Sequence, residues 1–178
     1  DLIQSLVRCQ SVTGEEGECQ RLIAEKMKGI GLRTDVWEPE VEELRNHEAY
    51  VPVETMGYAR GYENRPNVVG TLKRSGEERG KSIILNGHVD VVPIGNKDEW
   101  THDPWGGEFI DGKIYGRGSC DMKAGLAALI TAVEAIASSE VKLKGELSDE
   151  HRRAGLRSRG PATLPWRLPC RPSADSEI

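Results

Sequence analysis

No run of apolar residues in this chain approaches the roughly 18 needed to cross a bilayer, and its start lacks the charged-then-apolar pattern of a signal peptide. No membrane partner is expected. The four cysteines (Cys9, Cys19, Cys120 and Cys170) form no CxxC pair and no disulfide-framework spacing, so a reduced, cytoplasmic setting is the expectation. Neither GxSxG nor a Walker A sequence occurs, which removes nucleophile-elbow hydrolases and P-loop NTPases. GRGSCD (116–121) approaches a phosphate-cradling loop, but Asp121 stands where GxGxxG requires glycine. Internal repeats and low-complexity tracts are also missing.

What is present is a globular composition, 37% hydrophobic and 30% charged, in 178 residues, enough for one domain with a proper core. The chain opens at Asp1 rather than Met, which reads as a processed or cut terminus. The net charge of −5 hides an asymmetry: residues 1–150 hold 18 Lys and Arg against 27 Asp and Glu. Residues 151–178 hold six Arg against two acids, with four of the nine prolines. A basic tail can contact nucleic acid. This one has no helical period and no interleaved aromatics beyond Trp166, and it follows an acidic body that repels phosphate, so no nucleic-acid partner is expected.

Periodicity and turn residues divide 1–150 into alternating elements. A helix is predicted over 15–30, with Ser11 or Thr13 as cap and Gly31 as stop. Strands are predicted at 32–39, 67–72, 82–87 and 141–147, with a long polar connection over 40–63 and a polar turn over 73–80. Residues 107–116 read as a hairpin turning at Asp111-Gly112. The clearest helix is 121–137, with Met122, Leu126, Leu129, Ile130, Val133 and Ile136 on one face and Asp121 as N-cap. Interleaved strands and helices give an α/β fold with a mixed, largely parallel sheet and flanking helices.

The aliphatic run ILNGHVDVVP (84–93) carries His88 and Asp90 near its end, two apart and so on one face of a strand. Ligand sites in open α/β sheets lie outside the carboxyl ends of strands. Asp121 and the pair Asp149-Glu150 stand at further element ends that such a sheet would gather. One imidazole with several carboxylates suits zinc or a similar divalent ion. Taken singly, each has a plain structural reading: a strand-end histidine, a helix cap, a solvated loop. His102 reads as a loop residue.

GHVDVVP (87–93) followed by WTHDPWGGEFIDGKIYGRGSCDMKAG (100–125) resembles the dinuclear-zinc amidohydrolases of the M20 peptidase family, as does LVRCQSVTGEEGECQRLIAEKM (6–27). The resemblance covers about residues 1–150 and is nearest the acetylornithine deacetylase and succinyl-diaminopimelate desuccinylase branch. It implies a zinc-dependent exopeptidase-like catalytic domain holding two zinc ions, with cobalt or manganese as alternatives. His88 would be a zinc ligand, Asp90 would hold its ring, Asp121 would bridge the ions and Glu150 would be the general base. The implied reaction is hydrolysis of a small N-acylated amino acid such as N-acetylornithine, or of a dipeptide-like compound, by a metal-activated water. Intact members are homodimers.

The pattern departs at His151, where the family has a second glutamate as ligand, and RRAGLRSRG replaces a Gly-rich turn. Imidazole also binds zinc, so His151 stays a candidate ligand. The expectation is that 1–150 is the N-terminal part of the catalytic domain and that 151–178 is an aberrant tail, from a frameshift or truncation. The chain is then expected to hydrolyse little, and the competing reading is a remnant that binds metal weakly or pairs with a partner fragment.

Overall fold

A computed structural model describes residues 2–46, 50, 52, 61–73 and 80–152. The chain begins with a helix that the sequence reading did not separate, α1 (Leu2–Arg8), whose Leu6 and Val7 are buried. Helix α2 (Gly17–Gly29) follows, with Cys19, Ile23 and Met27 recurring every four residues as its buried stripe. It stops as predicted: Gly31 lies at φ +84°, past Ile30. Ser11 and Thr13 do not cap it. The first residues of α2 have no side-chain cap, and the two hydroxyls bond Val89 O and Asp90 Oδ2 instead.

Among the described residues, six strands form two sheets. The larger has the order β1-β2-β6-β3, built from β1 (Arg33–Trp37), β2 (Asn67–Leu72), β3 (Ile83–His88) and β6 (Leu147–Arg152). β1–β2 and β2–β6 are antiparallel and β6–β3 is parallel, so the mixed α/β class holds with a smaller parallel share than expected. The smaller sheet is the predicted hairpin, β4 (Glu108–Ile110) with β5 (Lys113–Tyr115). Asp111 and Gly112 supply φ of +49° and +76°, the turn geometry a two-residue connection needs. A short helix, α3 (Val41–Arg45), interrupts the expected irregular connection; most of the rest of that connection, and the turn over 74–79, lie outside the described residues.

The last strand corrects the sequence reading. Its alternating pattern places a strand at 141–147, yet the paired segment is the polar 147–152. The chain bends at Lys144-Gly145, where Gly145 passes too close to the Lys81 carbonyl for any side chain. Backbone bonds run from Gly80 N–H to Lys144 O and from Ile83 N–H to Glu146 O. Beyond the bend, β6 finds ladder partners on both sides, in β2 and β3. It is therefore an interior strand of the described sheet, and β3 lies at the edge beside it.

Helix α4 (Ala124–Ala137) packs Leu126, Ile130 and Val133 into one core with Leu6, Ile23, Met27, Val68 and Leu147. The core thus lies between the larger sheet and α1, α2 and α4. β3 reaches it closely: a side chain at Gly87 would meet Leu126 Cδ2 at 2.5 Å and Met122 Cε at 2.9 Å. Glycine at the end of this strand lets the strand and helix approach, and this places His88 over the start of α4.

Candidate metal centre

His88 is the last residue of β3, and its ring is held from behind. Nδ1 donates to the backbone oxygen of Asp90 at 3.1 Å and lies 3.3 Å from Asp90 Oδ1. Asp90 has left the strand and is buried, so its carboxylate faces the imidazole and not water. The two side chains meet, but not as neighbours on one strand face as the spacing suggested, because β3 ends at His88 and Asp90 lies beyond it. These contacts leave Nε2 as the outward nitrogen, 3.1 Å from Asp121 Oδ1. Acceptance by Asp90, outweighing the loss from burial, raises the His88 pKa from its ordinary range to about 9; Asp121 adds a smaller push in the same direction.

Asp121 is not the helix cap the sequence suggested. It lies three residues ahead of α4 in extended backbone (φ −119°, ψ 99°), within an irregular turn at Ser119–Lys123, and the Asp121–Met122 peptide is cis. Its neighbours explain the departure. Met122 tucks its sulfur under the His88 backbone N–H at 3.5 Å, and Lys123 is buried with Nζ donating to Cys9 O at 2.7 Å. With the two following side chains drawn inward, the Asp121 side chain projects outward, 88% exposed, towards the imidazole.

The register between β3 and β6 brings the remaining candidates to the same end of the sheet. Glu150 pairs with Asn86 and His151 with Gly87, one strand over from His88. Only the backbone is described there, so the assignments of Glu150 as base and His151 as ligand rest on this placement. β6 continues through residue 152, so the boundary drawn at 150/151 falls inside a strand; residues 153–178 lie outside the described residues.

Among the described residues, no set of three or more His, Cys, Asp or Glu donors is placed to hold an ion. The two that meet nevertheless fit one. Two donors each about 2.0–2.1 Å from one tetrahedral zinc lie roughly 3.3 Å apart, close to the 3.1 Å between His88 Nε2 and Asp121 Oδ1. An imidazole fixed through its other nitrogen by a carboxylate is the usual setting of a metal-binding histidine. These side chains line an open cleft of about 290 Å³, together with Thr13, Arg117 and Ser119. His102, read as a loop residue, bonds Glu108 at 3.0 Å and stacks near Tyr115, away from the cleft.

Three features were missed in the sequence. The Thr13 hydroxyl donates to Asp90 Oδ2 at 2.9 Å. Lys123 is buried under the Asp121 turn, and burial pushes its ammonium pKa down. Arg117 lies over the Trp100 ring at 4.9 Å on the cleft wall. Thr13 could have been found only by knowing that residues 11–13 run beside residues 89–91, a contact of high sequence separation with no local pattern.

Comparison with known proteins places this geometry. Residues 84–148 match the peptidase family M20/M25/M40. A succinyl-diaminopimelate desuccinylase of Thioalkalivibrio sulfidiphilus is 32% identical over 148 residues, covering 83% of this chain and 32% of that protein. Succinyl-diaminopimelate desuccinylase 2 of a Ruegeria species is 37% identical over 133 residues, covering 74% of this chain and 27% of that protein. The chain therefore spans about a third of the length of the curated relatives it matches. Human carnosine dipeptidase 1 superposes with a TM-score of 0.63 at 23% identity, covering 91% of this chain and 32% of that one. An M20 family metallo-carboxypeptidase of Sulfolobus solfataricus superposes with a TM-score of 0.62 at 16% identity, covering 84% and 29%. Both show the fold.

Proposed function

We propose that the chain is a member of the M20/M25/M40 peptidase family, whose model matches residues 84–148, and that it supplies the His88–Asp121 half of the metal site of an amide hydrolase. The observation that carries this reading is the pairing of Nε2 of His88 with Oδ1 of Asp121 at 3.1 Å, with Asp90 behind the ring. Bound divalent ions, zinc first among the candidates and cobalt or manganese after it, would supply a water acidified towards neutrality and a polarised scissile carbonyl. The chain's own residues do the rest. Asp90 fixes the ring and its tautomer, so that Nε2 is the nitrogen offered to the cleft. Asp121 presents a carboxylate from extended backbone, where no helix N–H competes for it. Glu150, on the strand beside β3, is the proposed base that takes the proton from water and returns it to the leaving amine.

The substrate is proposed to be a small N-acylated amino acid. The curated relatives cited above carry the name succinyl-diaminopimelate desuccinylase, which makes N-succinyl-diaminopimelate the first compound to test and N-acetylornithine the second. Because the chain spans about a third of those relatives, the test is a chimera in which residues 84–148 replace their counterpart in the Thioalkalivibrio protein. Release of succinate that is lost with 1,10-phenanthroline and with His88→Ala is the expected outcome. A folded chimera that binds zinc yet releases no succinate would overturn the reading.

A further inference from the structure

The loop between α1 and α2 is bound to the segment carrying the metal-site carboxylate by four hydrogen bonds across more than 70 residues of sequence. Ser11 Oγ donates to Val89 O at 2.6 Å, Val91 N–H to Ser11 O at 2.9 Å and Thr13 N–H to Val91 O at 3.2 Å. Val12 and Val91 form the resulting parallel bridge. The fourth bond differs in kind: it joins two side chains, Thr13 Oγ1 donating to Asp90 Oδ2 at 2.9 Å in a buried setting. The other oxygen of that carboxylate, Oδ1, faces His88 Nδ1 at 3.3 Å.

We propose that Thr13 is a positioning residue of the metal centre, its hydroxyl fixing the plane of the Asp90 carboxylate so that Oδ1 holds the His88 ring with Nε2 in the cleft. A carboxylate bonded through one oxygen can turn about its terminal torsion, which is broad for aspartate. Bonding through both oxygens removes that freedom before any ion arrives. The hydroxyl has a single proton, and this bond uses it. The backbone bonds on either side of Asp90 set the distance at which the bond forms, so a loop remote in sequence becomes the outermost layer behind the ligand. The proposal rests on the reading of His88 as a metal ligand.

The test measures zinc affinity, by competition with a chromogenic chelator, alongside the melting temperature. Four variants are compared with the protein: Thr13→Val, Thr13→Ser, Ser11→Ala and His88→Ala. Groups that orient a metal-bound histidine are worth about 10–100-fold in affinity. Thr13→Val is therefore expected to weaken zinc binding by about tenfold. Thr13→Ser keeps the hydroxyl and should bind as the protein does. Ser11→Ala removes the bond to Val89 O and the contact with the Cys19 thiol, neither of which touches Asp90; it should lower the melting temperature while affinity changes less than twofold. Affinity lost equally in Thr13→Ser, or equally in Ser11→Ala, would overturn the proposal, because loop packing and not the hydroxyl would then be responsible. Unchanged affinity in Thr13→Val beside a loss in His88→Ala would overturn it alone. Affinity indifferent to His88→Ala would defeat the metal-site reading and this proposal with it.

Discussion

At the scale of single residues, the chemistry turns on one proton. The Asp90 carboxylate raises the His88 pKa to about 9, above the ordinary value of about 6.5. The folded state thus binds this proton more tightly than the unfolded chain does. The stability it contributes is fully present below about pH 6.5 and is lost as pH rises towards 9. Metal-free protein should therefore show a melting temperature that falls across that window, and His88→Gln should flatten that part of the curve; a parallel decline in the variant would contradict the assignment. A divalent ion must displace the same proton, so zinc affinity should rise with pH, by up to about tenfold per unit, and level off above 9. His88 and Asp90 were legible in the sequence because they interrupt an apolar run, and Asp121 only as a residue at an element end. Thr13 was not, since a threonine before a helix reads as a cap and its partner lies 77 residues away.

At the scale of elements, apolar periodicity was a good guide where burial drives folding and a poor one where pairing does. α2, β2 and the 107–116 hairpin lie close to where stripes and turn residues put them. β6 does not: LSDEHR has no apolar stripe, and it is a strand because β2 and β3 both bond to it. α4 begins late because Met122 and Lys123 are drawn inward ahead of it, a tertiary cause that no propensity records. A second tertiary contact ties the start of α2 to the approach to β2. Arg65 meets Glu16 through Nε at 2.9 Å and Nη2 at 2.6 Å, both side chains being almost wholly buried. Glu16→Ala would strand a buried guanidinium and should cost about 3–5 kcal/mol in chemical denaturation; a loss under 1 kcal/mol would show that water reaches the pair. Gly87→Ala should cost about 1–3 kcal/mol, because the new methyl must displace Leu126 and Met122.

At the scale of the molecule, the described sheet ends on β3, where Ile83 and Ile84 are 56% and 59% exposed. An apolar edge strand invites pairing with another chain. Ile84→Lys should reduce self-association of the protein in sedimentation velocity, and an unchanged distribution would place the contact elsewhere. The same edge carries His88 at its end, so the order that exposes β3 also opens the cleft. The mixed α/β class and the gathering of candidate ligands at one end of the sheet were legible because strands interleave with helices and parallel strands bring their carboxyl ends together. That β3 and not the 141–147 segment forms the edge was not, because it depends on β6 inserting between β2 and β3. The central claim is that His88 and Asp121 together bind a divalent ion. Its most direct measurement is a zinc titration of the protein, His88→Ala and Asp121→Asn at pH 8, followed by calorimetry. The account predicts binding in the protein and its loss in both variants; binding that survives both substitutions would contradict it.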